Sequence, residues 1–231
     1  MAVLAGAAAD IDLLCRLHDR EADADLIAAL SQAPVRDWFA LQTEGEDSAA
    51  GRNLIESWLH DSPEADALAA DFADLYLTFA KRIAPNESYW LTEDHLERQE
   101  PMFSVRSWYA HYGLKAGDWR KRADDHLVHQ LEFVATLLRD GRPHAVRDAG
   151  RFLDQHLLTW SRDWFAGQAQ RSDTAFYAGL ALISAAQMEA IRALIETVTG
   201  EPRAVRARPA EVPATGPQEN CGYVPGAAPS W

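Results

Sequence analysis

Apolar residues recur every three or four positions along most of this sequence, and that spacing places them on one face of an α-helix. One clear stretch covers residues 127–138, and the longest covers residues 176–198. Alternating apolar and polar residues flanked by hairpin turns are absent, and Asp140-Gly141 follows a helical stretch instead of joining two strands. The pattern predicts an all-α fold, a single-domain bundle of about eight to eleven helices.

Residues that favour helix ends divide the chain further. Ser62 and Pro63 are typical of an N-cap and a first helical residue, and Gly141 is expected to end the helix over residues 127–138. The last long helix is expected to begin at Ser172 or Asp173. These positions predict short loops between the helices.

The composition changes near the end of the chain. From Glu201 onward the sequence is rich in proline, glycine and alanine. Such a segment has too little apolar surface to offset the conformational entropy lost on ordering. We therefore expect an all-helical domain over residues 1–200 and a flexible tail over residues 201–231.

The charge of the chain excludes several classes of partner. The formal net charge is −13, and residues 1–80 carry 16 acidic and 4 basic residues. Nucleic acids and anionic lipids are bound by basic surfaces, so neither is an expected ligand. The acidic first third is either a solvated surface that keeps the protein soluble or a field that attracts a basic ligand.

The cysteines and the apolar stretches indicate the compartment. Cys15 and Cys221 form no CxxC pair and no disulfide framework. The apolar stretch over residues 176–188 is shorter than the ~20 residues that cross a bilayer. A soluble cytoplasmic protein is the prediction, with no membrane insertion.

Catalytic signatures are missing from the sequence. It contains no GxGxxG, GxxxxGK[ST], HExxH or GxSxG motif. The best metal candidate is His126, His129 and Glu132, which would need a ligand from another helix such as His95 or His156. Histidines on wet helix faces are common, so we predict no metal site and keep a helical metal-dependent hydrolase only as an alternative.

A second cluster is Asp124-Asp125-His126, directly before the helix over residues 127–138. One aspartate is expected to cap that helix, because aspartate is a preferred N-cap and its charge complements the helix dipole. The other carboxylate would then be free to bind a guanidinium or to orient the imidazole.

Aromatic residues are concentrated between positions 89 and 119. An aromatic cluster on helices is usually part of the core, but tyrosine and tryptophan also line peptide-binding grooves. Further along the chain, Trp160 is expected in the core and Trp164 partly exposed. The seven aromatic residues of the cluster are Tyr89, Trp90, Phe103, Trp108, Tyr109, Tyr112 and Trp119.

Five segments in this order resemble the TorD/DmsD/NarJ family of cytoplasmic molybdoenzyme maturation chaperones. They are SYWLTED, VRSWYAHYGL, DDHLVHQLEFVATLL, FLDQHLLTWSRDWF and FYAGLALISAAQM. The usual loop of the family reads Glu-Pro-x-Asp-His, and the run from Arg122 to His126 keeps Asp-His but lacks Glu-Pro. The matching residues are Tyr109, Gly113, Leu114, Asp125, His126, Leu127, Glu132, Phe133, His156, Leu157, Trp160, Phe176 and Tyr177.

The resemblance implies an all-helical chaperone with no enzymatic activity and no cofactor of its own. Its partner would be the catalytic subunit of a molybdenum-cofactor oxidoreductase of the DMSO-reductase type. The chaperone would bind the twin-arginine leader of that subunit and hold the apoenzyme back from export until the cofactor is inserted. An assembly factor that grips the mature subunit and ignores the leader is an alternative, and both a monomer and a homodimer are compatible with the sequence.

A leader with two guanidiniums followed by an apolar segment needs carboxylates beside an aromatic-lined groove. The resemblance and this chemistry together give the predicted binding site. Its polar end is Asp124, Asp125 and His126. Its apolar wall is Tyr89, Trp90, Tyr109 and Tyr112.

Overall fold

The computed structural model describes residues 2–61, 64–78, 81–117 and 120–204. Within these ranges it contains ten α-helices and no strand, so the predicted all-α class and the helix number are confirmed. The helices are α1 (Ala2–Asp19), α2 (Ala24–Leu30), α3 (Glu46–His60), α4 (Ala65–Phe72), α5 (Glu87–Leu91), α6 (Glu100–His111), α7 (Leu127–Asp140), α8 (Pro143–Gln155), α9 (Ser161–Arg171) and α10 (Ala175–Thr199). A π-helical turn, Ala73–Leu77, continues α4, and 3-10 turns cover Val35–Trp38 and Leu157–Thr159.

Helix α10 is the central helix of the bundle and packs against α3, α8 and α9, while α1 packs against α7. Its contact with α3 depends on two glycines that face each other. A Cβ atom on Gly179 would lie 2.5 Å from the carbonyl oxygen of Gly51, so the two backbones can approach only without side chains there. Although α10 is long and apolar enough to span a membrane, 56% of its most apolar window is buried inside the protein, as in a core helix.

The helix ends agree with the sequence only in part. Gly141 adopts a left-handed conformation with φ 66° and ends α7, as predicted. Helix α10 begins one or two residues later than predicted, because Thr174, and not Ser172 or Asp173, is its N-cap, and the Thr174 side chain accepts a hydrogen bond from the Tyr177 N–H (3.3 Å). Asp71 explains the shift, since its carboxylate already accepts the backbone N–H groups of Asp173 and Thr174.

Two further expectations concern tryptophans, and one of them is wrong. Trp160 is buried as predicted, but Trp164 is also fully buried, with 0% exposure. The Trp164 indole N–H donates to the carbonyl of Ile83 (3.1 Å), so its burial leaves no polar atom unpaired. Arg162 and Asp163, between the two tryptophans, are exposed, and these charged residues suggested a solvent-facing helix side.

Two predictions fall wholly or largely outside the described residues. One is the helix start at Ser62 and Pro63. The other is the flexible tail over residues 201–231, of which only residues 201–204 are described. Those four residues lie against α8 and α10, where Glu201 contacts Arg151 (3.3 Å).

Candidate functional site

A cleft of about 500 Å³ opens where α5, the start of α6 and the end of α8 meet. Acidic side chains from all three helices line it: Glu87 from α5, Glu100 from α6 and Asp154 from α8. Among the described residues that line the cleft, none is lysine or arginine. Its apolar wall includes Leu91, which is exposed. The cleft therefore offers carboxylates beside apolar surface.

Glu87 is the most deeply buried carboxylate of the cleft. Its oxygens lie 2.9 and 3.1 Å from His156 Nδ1, and Gln130 Nε2 donates to it (3.1 Å). Burial raises the pKa of Glu87, while the hydrogen bond and charge of His156 oppose the rise. His156 and Gln130 therefore hold the Glu87 carboxylate at the inner wall of the cleft.

Asp154 differs from Glu87, because an arginine already forms an ion pair with its carboxylate. Arg192 from α10 donates two parallel hydrogen bonds to the Asp154 carboxylate, at 2.7 and 2.8 Å. The carboxylate also accepts the backbone N–H of Ala204 (2.8 Å), the last described residue. Asp154 thus joins α8, α10 and the segment that follows α10.

Asp124 and Asp125 of the predicted polar cluster lie behind Glu87, inside the protein, and His126 is half-buried. Asp125 has 0% exposure, and its carboxylate accepts hydrogen bonds from the Ser88 N–H (2.7 Å) and the Ser88 hydroxyl (2.5 Å). The Asp125 carbonyl accepts from the Glu87 N–H (3.1 Å) and from the Gln130 side chain (2.9 Å). Asp125 therefore fixes the start of α5, the helix that carries Glu87 and the predicted aromatic pair.

The two neighbours of Asp125 also have partners within the protein. The Asp124 carboxylate binds the Arg106 guanidinium at 2.7 Å, and its carbonyl accepts from the Tyr109 hydroxyl (3.0 Å). His126, and not an aspartate, is the N-cap of α7, because its Nδ1 accepts from the Val128 N–H (3.2 Å). The expectation that an aspartate caps this helix is wrong, since both aspartates are used by contacts distant in sequence. Burial also lowers the pKa of His126.

The four predicted aromatic residues lie in two places. Tyr89 and Trp90 are half-buried neighbours on α5, with ring centroids 5.9 Å apart, and the Trp90 indole donates to the Ala84 carbonyl (3.0 Å). Tyr109 is buried and packs on Phe133, and Tyr112 packs on the same ring from another side. The Tyr112 hydroxyl donates to Asp148 (2.7 Å).

The structure therefore brings together Asp124, Asp125, His126 and Tyr109, and connects them through Ser88 to the helix of Tyr89 and Trp90. Tyr112 lies apart from this group, beside α8. Sequence reasoning missed Glu87, Glu100 and Asp154. Only the position of Glu87, next to the Ser-Tyr-Trp run, could have indicated it.

The histidines considered as metal ligands have other neighbours. The rings of His126 and His129 are 6.2 Å apart, and His129 Nδ1 lies 3.3 Å from Glu132. His156 is bound to Glu87. Within the part of the chain that the structure describes, no group of three or more His, Cys, Asp or Glu residues is arranged to hold a metal ion.

The fold is an all-helical bundle with an acidic cleft, and comparison with known proteins gives its family. A family model described as the nitrate reductase delta subunit matches residues 42–166, more than half of the chain. A protein of Vibrio cholerae serotype O1 named "Chaperone protein TorD" is 30% identical over 159 residues, which are 64% of this chain and 72% of the relative. A protein of the same name from Escherichia coli is 29% identical over 178 residues, 72% of this chain and 85% of the relative.

The chain belongs to this TorD/NarJ family, as the sequence segments predicted. Its relatives are named as chaperones, and the chain is a chaperone of the same family and not an enzyme. The family match includes α5, α6 and α7 in full and ends in α9, so it covers nearly all of the cleft.

Proposed function

We propose that the protein is a cytoplasmic chaperone for a molybdoenzyme of the DMSO-reductase type. It binds the twin-arginine leader of the apo catalytic subunit in the cleft between α5, α6 and α8, and holds the subunit until cofactor insertion. One observation carries the proposal: Glu87, Glu100 and Asp154 line a cleft whose described walls carry no lysine or arginine. A leader guanidinium would find a complementary charge at exposed Glu100, near the buried carboxylate of Glu87.

The predicted residues support this site in two ways. Asp124, Asp125 and His126 form its polar end by fixing the backbone that presents Glu87, through Asp125 and Ser88. Tyr89 and Trp90 supply half-buried aromatic surface on the same helix, α5, and the Tyr109 hydroxyl donates to the Asp124 carbonyl. Tyr112 packs on Phe133, the ring that also contacts Tyr109. The apolar segment of the leader would lie along exposed Leu91.

Charge variants of the cleft test the location of the site. Glu100 is exposed, and its replacement in E100K reverses one charge of the cleft without removing a buried contact. We expect E100K to weaken binding of the cognate leader about tenfold in calorimetric titration, because one charge-assisted contact becomes a repulsion. E56K is the matched control, since Glu56 is exposed on α3, outside the cleft, and gives the same change in net charge. Equal weakening by both variants would contradict the location.

A second titration separates leader binding from recognition of the mature subunit. The apo catalytic subunit is titrated with and without its leader. The proposal requires that removal of the leader weakens binding and that E100K no longer has an effect on the shortened subunit. Unchanged affinity without the leader would favour the leader-independent assembly factor. Alanine at both Asp125 and His126 should also reduce leader affinity, because the Asp125 carboxylate fixes Ser88, the neighbour of Glu87, and the His126 side chain caps α7.

A further inference from the structure

His156 lies between a buried carboxylate and the open space of the cleft. The residue follows α8, is 4% exposed and lines the cleft. Its Nδ1 atom lies 2.9 and 3.1 Å from the two oxygens of Glu87, whose carboxylate also accepts a hydrogen bond from Gln130. Since an ionised carboxylate only accepts hydrogen bonds, the ring carries its proton on Nδ1 and keeps a lone pair on Nε2.

The Nε2 atom lies beside Ser104 of α6, and both residues line the cleft. The Ser104 hydroxyl is 3.5 Å from Nε2, which is longer than the roughly 2.7–3.2 Å of well-formed hydrogen bonds in proteins. A donor on a ligand in the cleft could therefore approach Nε2 more closely than the serine does. His156 thus offers the cleft an uncharged acceptor in a fixed orientation.

An exposed carboxylate lies on the same face of α6 as this serine. Glu100 is four residues before Ser104, about one helical turn, and lines the same cleft. The other two carboxylates of the cleft are already used, because Glu87 binds His156 and an arginine of α10 binds Asp154. The cleft therefore combines one exposed negative charge with one neutral acceptor.

We propose that Glu100 and His156 Nε2 form a subsite for one guanidinium, and that His156 selects arginine over lysine. This inference rests on the proposed function, because it names the residues that recognise an arginine of the leader. A guanidinium carries five N–H donors in a rigid plane, so one edge binds the Glu100 carboxylate while another N–H donates to Nε2. The ammonium of lysine is a compact and strongly hydrated charge, so it gains the ion pair but less from a second acceptor in a fixed position.

Nuclear magnetic resonance of the full chain tests the state of the ring and its ligand. Long-range proton–nitrogen correlation spectra near neutral pH are expected to show His156 with a proton on Nδ1 and none on Nε2. Titration with Nα-acetyl-arginine amide should shift the Nε2 resonance, and the corresponding lysine amide should bind at least about threefold more weakly. A proton on Nε2 in the free protein, or equal affinity for the two amides, would overturn the proposal.

Variants of the subsite test the same contact by affinity. In H156N the new amide nitrogen can still donate to Glu87, but no acceptor remains at the place of Nε2, so affinity for the arginine amide should fall about tenfold. H156Q should bind more tightly than H156N, because its carbonyl oxygen can replace Nε2. S104V places a methyl group beside Nε2 and should also weaken binding, whereas S107V makes the same change at an exposed position of α6 outside the cleft and should not. Unchanged affinity in both H156N and S104V would overturn the proposal.

Leader titration then distinguishes this inference from the proposed function. If both are correct, H156N weakens binding of the arginine leader about tenfold and binding of its lysine counterpart by less than about twofold. An equal loss for both peptides would overturn the selection of arginine by His156 while leaving leader binding intact. Binding of the arginine amide but of no leader would overturn the proposed function and retain the guanidinium subsite.

Discussion

His18 gives the protein a predictable loss of stability in acid. The side chain lies in α1 within the core, where Nδ1 is 2.6 Å from the Tyr76 hydroxyl and Nε2 is 2.9 Å from the Ser184 hydroxyl. The ring also packs against Trp164, with centroids 5.6 Å apart. Burial among these groups lowers the pKa of His18 from 6.5 to about 3.

The magnitude follows from the two pKa values. The unfolded chain binds a proton at His18 below about pH 6.5, whereas the folded protein does not bind it until about pH 3. Protonation therefore favours the unfolded state over this whole window, and stability falls as the pH falls. Each pH unit between the two pKa values changes the free energy of unfolding by about 1.36 kcal/mol. A change from pH 7.5 to pH 5 therefore lowers it by about 2 kcal/mol through this residue.

A comparison with the H18Q variant isolates this contribution from the other titrating groups. The raised pKa of Glu87 acts in the opposite direction, but it is common to both proteins. Urea unfolding is measured at pH 7.5 and pH 5 for both. We expect the stability difference between wild type and H18Q to shrink by about 2 kcal/mol on acidification. A difference that stays constant over this range would refute the buried neutral imidazole.

Two further variants test the packing and the polar cluster. G179A should lower the free energy of unfolding by about 1–3 kcal/mol, because the added methyl group would collide with the backbone of Gly51. G117A is the control and should leave the free energy of unfolding nearly unchanged, because the space around its Cβ is open. D125N should cost about 1.5–3 kcal/mol in chemical unfolding, because it weakens the two charge-assisted hydrogen bonds from Ser88. A D125N protein as stable as the wild type would contradict the structural role of this carboxylate.

The sequence predicted the long helices well, because their apolar stripes repeat over many turns. Helices α7 and α10 were found in this way, and Gly141 marked the end of α7 by its left-handed backbone. Helix α5 has only five residues, too few for a periodic pattern to show. Its first turn is fixed instead by Asp125, 37 residues after Ser88 in the chain, and no local pattern predicts such a contact.

The site was predicted only in part for the same reason. The Asp124-Asp125-His126 cluster was visible because its residues are adjacent, but its aspartates point to Arg106 and Ser88 instead of capping α7. Glu87 was missed because its importance comes from His156, 69 residues away, which a single sequence does not reveal. The sequence therefore identified the Asp124–His126 loop, whereas the position of Glu87 at the cleft depends on contacts between residues distant in the chain.

The most direct test of leader recognition is one calorimetric comparison with the full-length protein. Leader peptides of the molybdoenzymes of the source organism are titrated, each paired with a peptide that carries lysines in place of the two arginines. The account predicts that one leader binds and that the affinity of its lysine counterpart is about tenfold lower. The reason is that lysine cannot form the bidentate contact with a carboxylate. Equal affinity for the two peptides of the pair, or no binding by any leader, would contradict it.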